Sequence, residues 1–202
     1  MSESELDQRI IEQFVNSIES AQQTVSELAP SIEEACSAMV ETLLGDGKII
    51  TCGNGLAGLE AQRLSTVLLN RFERDRPSLP AFNLTTDTIA HTAIAATYQF
   101  NQIYAKQLEA LGHENDVLVI FSVSGRSANL VNAVTTAHDR GMRVIALTAR
   151  DGGNVASVLT DSDIELRVPH DRAPLIHESF HMLVNCFASN VDHLLFGFDE
   201  EF

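Results

Sequence analysis

Three hydroxyls and one glycine stand within six residues at Ser122-Val123-Ser124-Gly125-Arg126-Ser127. They follow the unbroken apolar run Val117 to Phe121 and precede a helical pattern from Ala128 to Arg140. A buried strand, a Ser/Gly turn and a helix N-terminus in that order make an anion cradle: free backbone N–H groups and the helix dipole favour negative charge, and the hydroxyls add donors. The ligand group this chemistry suits is a phosphate. The alternative is that Ser127 is only an N-cap and the other serines are turn residues.

A second glycine turn, Gly53-Asn54-Gly55-Leu56-Ala57-Gly58, follows the short apolar run Lys48 to Cys52. Its spacing matches the GxGxxG of dinucleotide sites, which also need an acidic residue ending a second strand about 20 residues on. Glu73 and Asp75 stand near that distance but follow the helical stretch Leu59 to Phe72, with no strand before them. A nicotinamide or flavin site is therefore not expected, no other cofactor is called for, and the glycines are assigned to a tight turn beside a small ligand. His177-Glu178-Ser179-Phe180-His181 matches HExxH, which can place two histidines and a base on one helix face. Only Asp192, Glu200 and Glu201 follow as acidic third ligands, so we expect no dedicated metal centre. His91, His113, His138, His170 and His193 are isolated and read as structural or exposed.

The elements that must position these groups alternate. Strands are expected at Lys48–Cys52, Ala81–Leu84, Val117–Phe121, Met142–Thr148 and Ile164–Val168, the last at an edge because Glu165 and Arg167 interrupt it. Between them lie helices over Leu59–Phe72, Thr88–Ala95, Tyr98–Leu111, Ala128–Arg140 and Val155–Leu159, and a long one over Ala173–Phe196. The N-terminal part shows apolar residues at helical spacing (Ile10, Phe14, Ile18, Ala21, Val25, Leu28), a stop at Pro30, and a second helix capped by Ser31 and Glu34. Three strand–glycine-turn–helix units recur near Cys52, Ser122 and Thr148. The expected fold is α/β, a single domain over residues 1–202 with a doubly wound parallel sheet flanked by helices, its ligands at the carboxyl ends of the strands.

The chain has 202 residues, 45% hydrophobic and 20% charged, with a formal charge of −15. That charge argues against direct binding to nucleic acid or an anionic membrane and leaves room for a basic protein partner. Three scattered cysteines, Cys36, Cys52 and Cys186, suggest reduced thiols in the cytoplasm rather than a disulfide framework. The apolar segment Leu194-Leu195-Phe196 with Phe198 and Phe202 is expected to be buried between subunits.

The GNG at Gly53–Gly55, the connector from Asn70 to Ala81 (NRFERDRPSLPA), the SxSGxS loop and ALTxxDGG at Ala146–Gly153 resemble the SIS (sugar isomerase) domain family over nearly the whole chain. Within it the match is to the phosphoheptose isomerase branch, which also holds the DnaA initiator-associating proteins. The resemblance implies a homotetramer, with the N-terminal helices, residues 6–45, in its interface. It implies a phosphosugar site at Gly53, Asn54, Gly55, Ser122, Ser124, Gly125 and Ser127, with Arg71 also kept. It places a His and a catalytic Glu where this chain has Arg63 and Val67, and a Gln and a catalytic His where it has His177 and Asn185. Ala57, Ala96-Thr97 and Val123 also replace family residues.

Valine cannot accept a proton and asparagine does not titrate, and one general acid or base is worth roughly 10²–10⁴ in rate. The expectation is therefore a non-catalytic regulator of chromosome replication that binds the basic initiator DnaA. The alternatives are a phosphoheptose isomerase acting on sedoheptulose 7-phosphate, which would need Glu60 or His177 as its base, and a sugar-phosphate sensor with another partner. Arg63, His177 and Glu178 are possible accessory residues, with Arg63 read as a surface charge.

Overall fold

The structure is a computed structural model that describes residues 3–197; Phe198, Glu200, Glu201 and Phe202 lie outside the described residues. Five parallel strands form one sheet: β1 (Ile49–Gly53), β2 (Ala81–Asn83), β3 (Val117–Phe121), β4 (Arg143–Ala149) and β5 (Ile164–Val168). Their order is β2-β1-β3-β4-β5, so β5 lies at an edge as its charges predict. Every residue of β1 and β3 is buried, which explains why both read as continuous apolar runs.

Side chains alternate across the sheet and feed two cores. Val117, Val119 and Phe121 face the layer of α1 (Glu3–Leu44), α2 (Leu56–Leu69) and α7 (Ala173–Phe196), meeting Met39, Leu64, Phe180 and Phe187. Leu118 and Ile120 face the opposite layer, where α4 (Ala105–Leu111), α5 (Ala128–Asp139) and α6 (Gly153–Ala156) supply Leu108, Leu130, Val134 and Val155. The helix α3 (Thr88–Thr97) starts at Asp87, whose carboxylate accepts the Ala90 N–H at 2.8 Å.

The limits of α2 and α6 lie two or three residues N-terminal to those expected, and two helix boundaries differ more deeply. Pro30 does not end the first helix: α1 runs unbroken for 42 residues, about 63 Å, with Pro30 inside it. An interior proline removes one helical hydrogen bond, but Leu28, Ile32, Ala35 and Met39 on both sides are buried against the domain and hold the helix through it. Conversely, Tyr98–Leu111 is not one helix but a 3-10 turn at Phe100–Gln102 followed by α4. Gln99 there is fully extended, and the buried Ile103 and Tyr104 anchor the break to the core.

Candidate functional site

In the order β2-β1-β3-β4-β5 the chain winds outward in both directions from the β1–β3 pair. The carboxyl ends of those two strands therefore flank a crevice from which the flanking connections diverge. The two glycine turns picked out in the sequence follow β1 and β3, and the sheet brings them together. A cavity of about 190 Å³ opens between them, lined by Asn54, Leu56, Ala57, Ser122, Ser124, Ser127 and, from α7, His177.

The cradle after β3 is rigid. The Ser122 hydroxyl accepts the Gly125 N–H at 3.1 Å, and the Ser124 hydroxyl accepts the Arg126 N–H at 3.3 Å. Gly125 has φ +62°, and a Cβ there would lie 1.9 Å from the Gly152 carbonyl oxygen, so the 150–153 loop is packed directly onto it. Ser127 occupies the N-cap position of α5, yet its side chain makes no cap hydrogen bond. Its hydroxyl is thus not committed to the helix, which favours the ligand-binding reading of this serine over the capping one.

The turn after β1 is equally tight: a Cβ at Gly53 would meet the Ala57 carbonyl oxygen at 2.8 Å, and Gly55 has φ +57°. Asn54 is held in place by a reciprocal amide pair, Nδ2 donating to Asn129 Oδ1 at 2.9 Å and Oδ1 accepting from Asn129 Nδ2 at 2.8 Å. The Tyr104 hydroxyl donates to Asn54 Oδ1 at 3.1 Å and to Gly53 O at 2.7 Å. Burial pushes the Tyr104 phenol well above its ordinary range, so it stays a donor. One Asn54 amide hydrogen is left over for a ligand. Neither Asn129 nor Tyr104 was singled out from sequence; a polar Asn on the buried face of α5 was the available signal. A second cavity, about 320 Å³, also borders Asn54. Its His91 Nε2 is bonded to Leu84 O at 2.7 Å and Thr85 Oγ1 to Asn83 Oδ1, so these groups are already committed.

The third wall is the α2–α7 seam, and it holds two buried polar atoms with no protein partner: Glu60 Oε2 and His177 Nδ1. Glu60 Oε1 lies 3.2 Å from His181 Nδ1. Burial lowers the His177 pKa below the ordinary 6.5, with the neighbouring Glu60 carboxylate pulling the other way. His177 is therefore neutral near pH 7 and able to accept a proton.

Arg63 is not a surface charge: its guanidinium donates to Asn185 Oδ1 and to His181 O at 3.4 Å, tying α2 to α7. Val67 is half-buried beside this seam. Glu178 points away, into a cleft between α1 and α7 with Gln13, Phe14 and Arg172. Arg71 makes an exposed pair with Asp75 and does not line the cavity. Among the described residues no group of three His, Cys, Asp or Glu is placed to hold a metal ion, and no helix is long and apolar enough to cross a membrane.

The profile of the SIS domain matches residues 13–149. A phosphoheptose isomerase of Methylococcus capsulatus is 46% identical over 190 residues, covering 94% of this chain and 97% of its own. One of Chromohalobacter salexigens is 46% identical over 192 residues, covering 95% and 98%. Among solved structures, a phosphoheptose isomerase from Francisella tularensis superposes with a TM-score of 0.90 at 43% identity, covering 96% of this chain and all of that one.

These relatives correct the expectation of a non-catalytic, DnaA-associated regulator of replication, because the proteins this chain matches over almost its whole length are named phosphoheptose isomerases. That expectation rested chiefly on Val67 and Asn185, with the replacements at Ala57, Ala96-Thr97 and Val123 beside them. It gave too little weight to Glu60 and His177, whose convergence across two distant helices is visible only in the fold.

Proposed function

The chain belongs to the SIS domain family, in its phosphoheptose isomerase branch, and from that premise we propose that it is a sugar-phosphate aldose–ketose isomerase acting on sedoheptulose 7-phosphate. The observation that carries the reading is the pairing of a serine cradle with His177, which lines the same cavity and whose buried Nδ1 has no protein partner, with the Glu60 carboxylate beside it in the α2–α7 seam. The phosphate sits at Ser122, Ser124 and Ser127, held by hydroxyls and the α5 N-terminus. His177 takes the proton from C1 of the open-chain ketose while the C2 carbonyl oxygen gains one, giving the enediol. The same proton returns to C2 as the O1–H proton is lost, and the aldehyde forms. Glu60 holds the transient imidazolium.

The same reading makes the protein a cytoplasmic homotetramer through α1. Leu6, Ile10, Phe14, Ile18 and Val25 are exposed along that helix, Phe14 by 70%, and a second copy of the helix would cover them.

Incubation with sedoheptulose 7-phosphate, followed by NMR, tests the chemistry. We expect appearance of the aldose phosphate at an enzyme-like rate, lost in His177→Ala. Binding of the sugar without turnover would overturn the isomerase reading and leave a sugar-phosphate sensor.

A further inference from the structure

The phosphate cradle has a charge problem. Its cavity is lined by no Lys or Arg, His177 is the only titratable group there, and the whole chain carries −15. Neutral donors and one helix dipole must hold a phosphate dianion against that field. One cation is close by. Arg126 lies between Ser124 and Ser127, both of which line the cavity, and its own N–H is bonded to the Ser124 hydroxyl. Its guanidinium is turned out to Asp151, Nη2 to Oδ2 at 2.6 Å, with the two side chains 65% and 60% exposed.

We propose that Arg126 is a phosphate-binding residue that exchanges its partner, leaving Asp151 for the substrate phosphate when the cradle fills. This rests on the cradle reading above and adds a charged ligand to it. The exchange runs downhill: an exposed ion pair is worth little in water, whereas a guanidinium on a phosphate oxygen over a partly buried cradle forms a strong charge-assisted hydrogen bond, bidentate if both N–H groups reach.

The surrounding charges support this arrangement. Arg150 on the same loop is committed, its Nε donating to Asp171 O at 3.2 Å, and Arg167 is paired with Glu165 at 2.6 Å. The backbone is fixed by the close approach of Gly125 to Gly152 and by the Val155 N–H on Gly125 O at 2.8 Å, so only the Arg126 side chain has to move. Asp151 acts as a parking site that keeps the guanidinium at the rim between turnovers.

The test is the affinity of the full-length protein for inorganic phosphate and for sedoheptulose 7-phosphate, measured by NMR titration on wild type, Arg126→Ala, Arg126→Lys and Asp151→Asn. Arg126→Ala is expected to weaken both ligands about tenfold or more, the size of one charge-assisted hydrogen bond. Arg126→Lys restores part of the loss. Asp151→Asn, which frees the guanidinium, tightens both several-fold and lowers KM. Melting temperatures of the unliganded variants should match wild type, since the pair is exposed. Wild-type binding with unchanged affinity in Arg126→Ala overturns the role of Arg126 and leaves the cradle standing. Failure of folded wild type to bind either ligand overturns the cradle and this inference together.

Discussion

The seam between α2 and α7 carries two polar clusters, and they are built in opposite ways. At one end Arg76 is wholly buried: Nε donates to Asp192 Oδ1 at 2.5 Å, Nη1 to Leu68 O at 2.9 Å and Nη2 to Val67 O at 2.8 Å. The guanidinium thus closes the last carbonyls of α2 and joins them to α7. At the other end Glu60 Oε2 and His177 Nδ1 are buried with nothing to bond. A buried group left unpaired costs about 1–3 kcal/mol, more if charged. Along this seam that cost falls at the end that opens on the serine cradle. A saturated cluster fixes where the helices lie, and an unsaturated one leaves hydrogen-bonding capacity unused in the place so fixed.

The largest effect should come from breaking the saturated end. Arg76→Ala leaves the Asp192 carboxylate buried and unpaired, and should cost about 3–5 kcal/mol in urea unfolding. Adding Asp192→Ala should recover part of that loss, so the double variant is more stable than the sum of the two singles predicts. A loss below about 1 kcal/mol would mean that the two ends of the seam do not differ as described.

At the open end the signs reverse. His177→Ala should cost roughly 10²–10⁴ in turnover while leaving unfolding free energy within about 1 kcal/mol of wild type, since no protein hydrogen bond to Nδ1 is lost. Glu60→Gln should lower turnover and leave stability equal or higher. A variant of either residue that unfolded as readily as Arg76→Ala would make the open end structural.

Much of this was legible in the sequence, and the missing part has a physical reason. Val117–Phe121 had to be a central strand because no residue in it tolerates solvent, and the Ser122–Ser127 turn announced its cradle through three hydroxyls. Both signals are local. The break before Ile103 and the passage of α1 through Pro30 depend on what the helix packs against, so local propensity misplaced them. Arg63 read as a surface charge because its partner Asn185 is more than a hundred residues away. Glu60 and His181 meet across a similar separation. Position-by-position comparison registered Val67 and Asn185 as losses; only the packing of α2 on α7 shows which titratable groups stand near them.

The smallest effect separates the two ends by pH. Burial lowers the His177 pKa below 6.5 and Glu60 raises it. The unfolded chain therefore binds a proton at this site more readily than the native protein does, and between the native pKa and 6.5 stability should rise with pH. The unfavourable contribution grows as pH falls below 6.5 and levels off once pH passes the native value. With neutral His177 as the proposed base, the acid limb of the pH–rate profile should share that native value and lie below 6.5. Glu60→Gln removes the influence that raises it, so the limb should move further toward acid even as the plateau rate falls. Arg76→Lys, remote from His177, should change stability and leave the limb in place. A limb unmoved by Glu60→Gln would show that Glu60 does not act through His177. One shifted by Arg76→Lys would show that the saturated cluster is electrostatically part of the site.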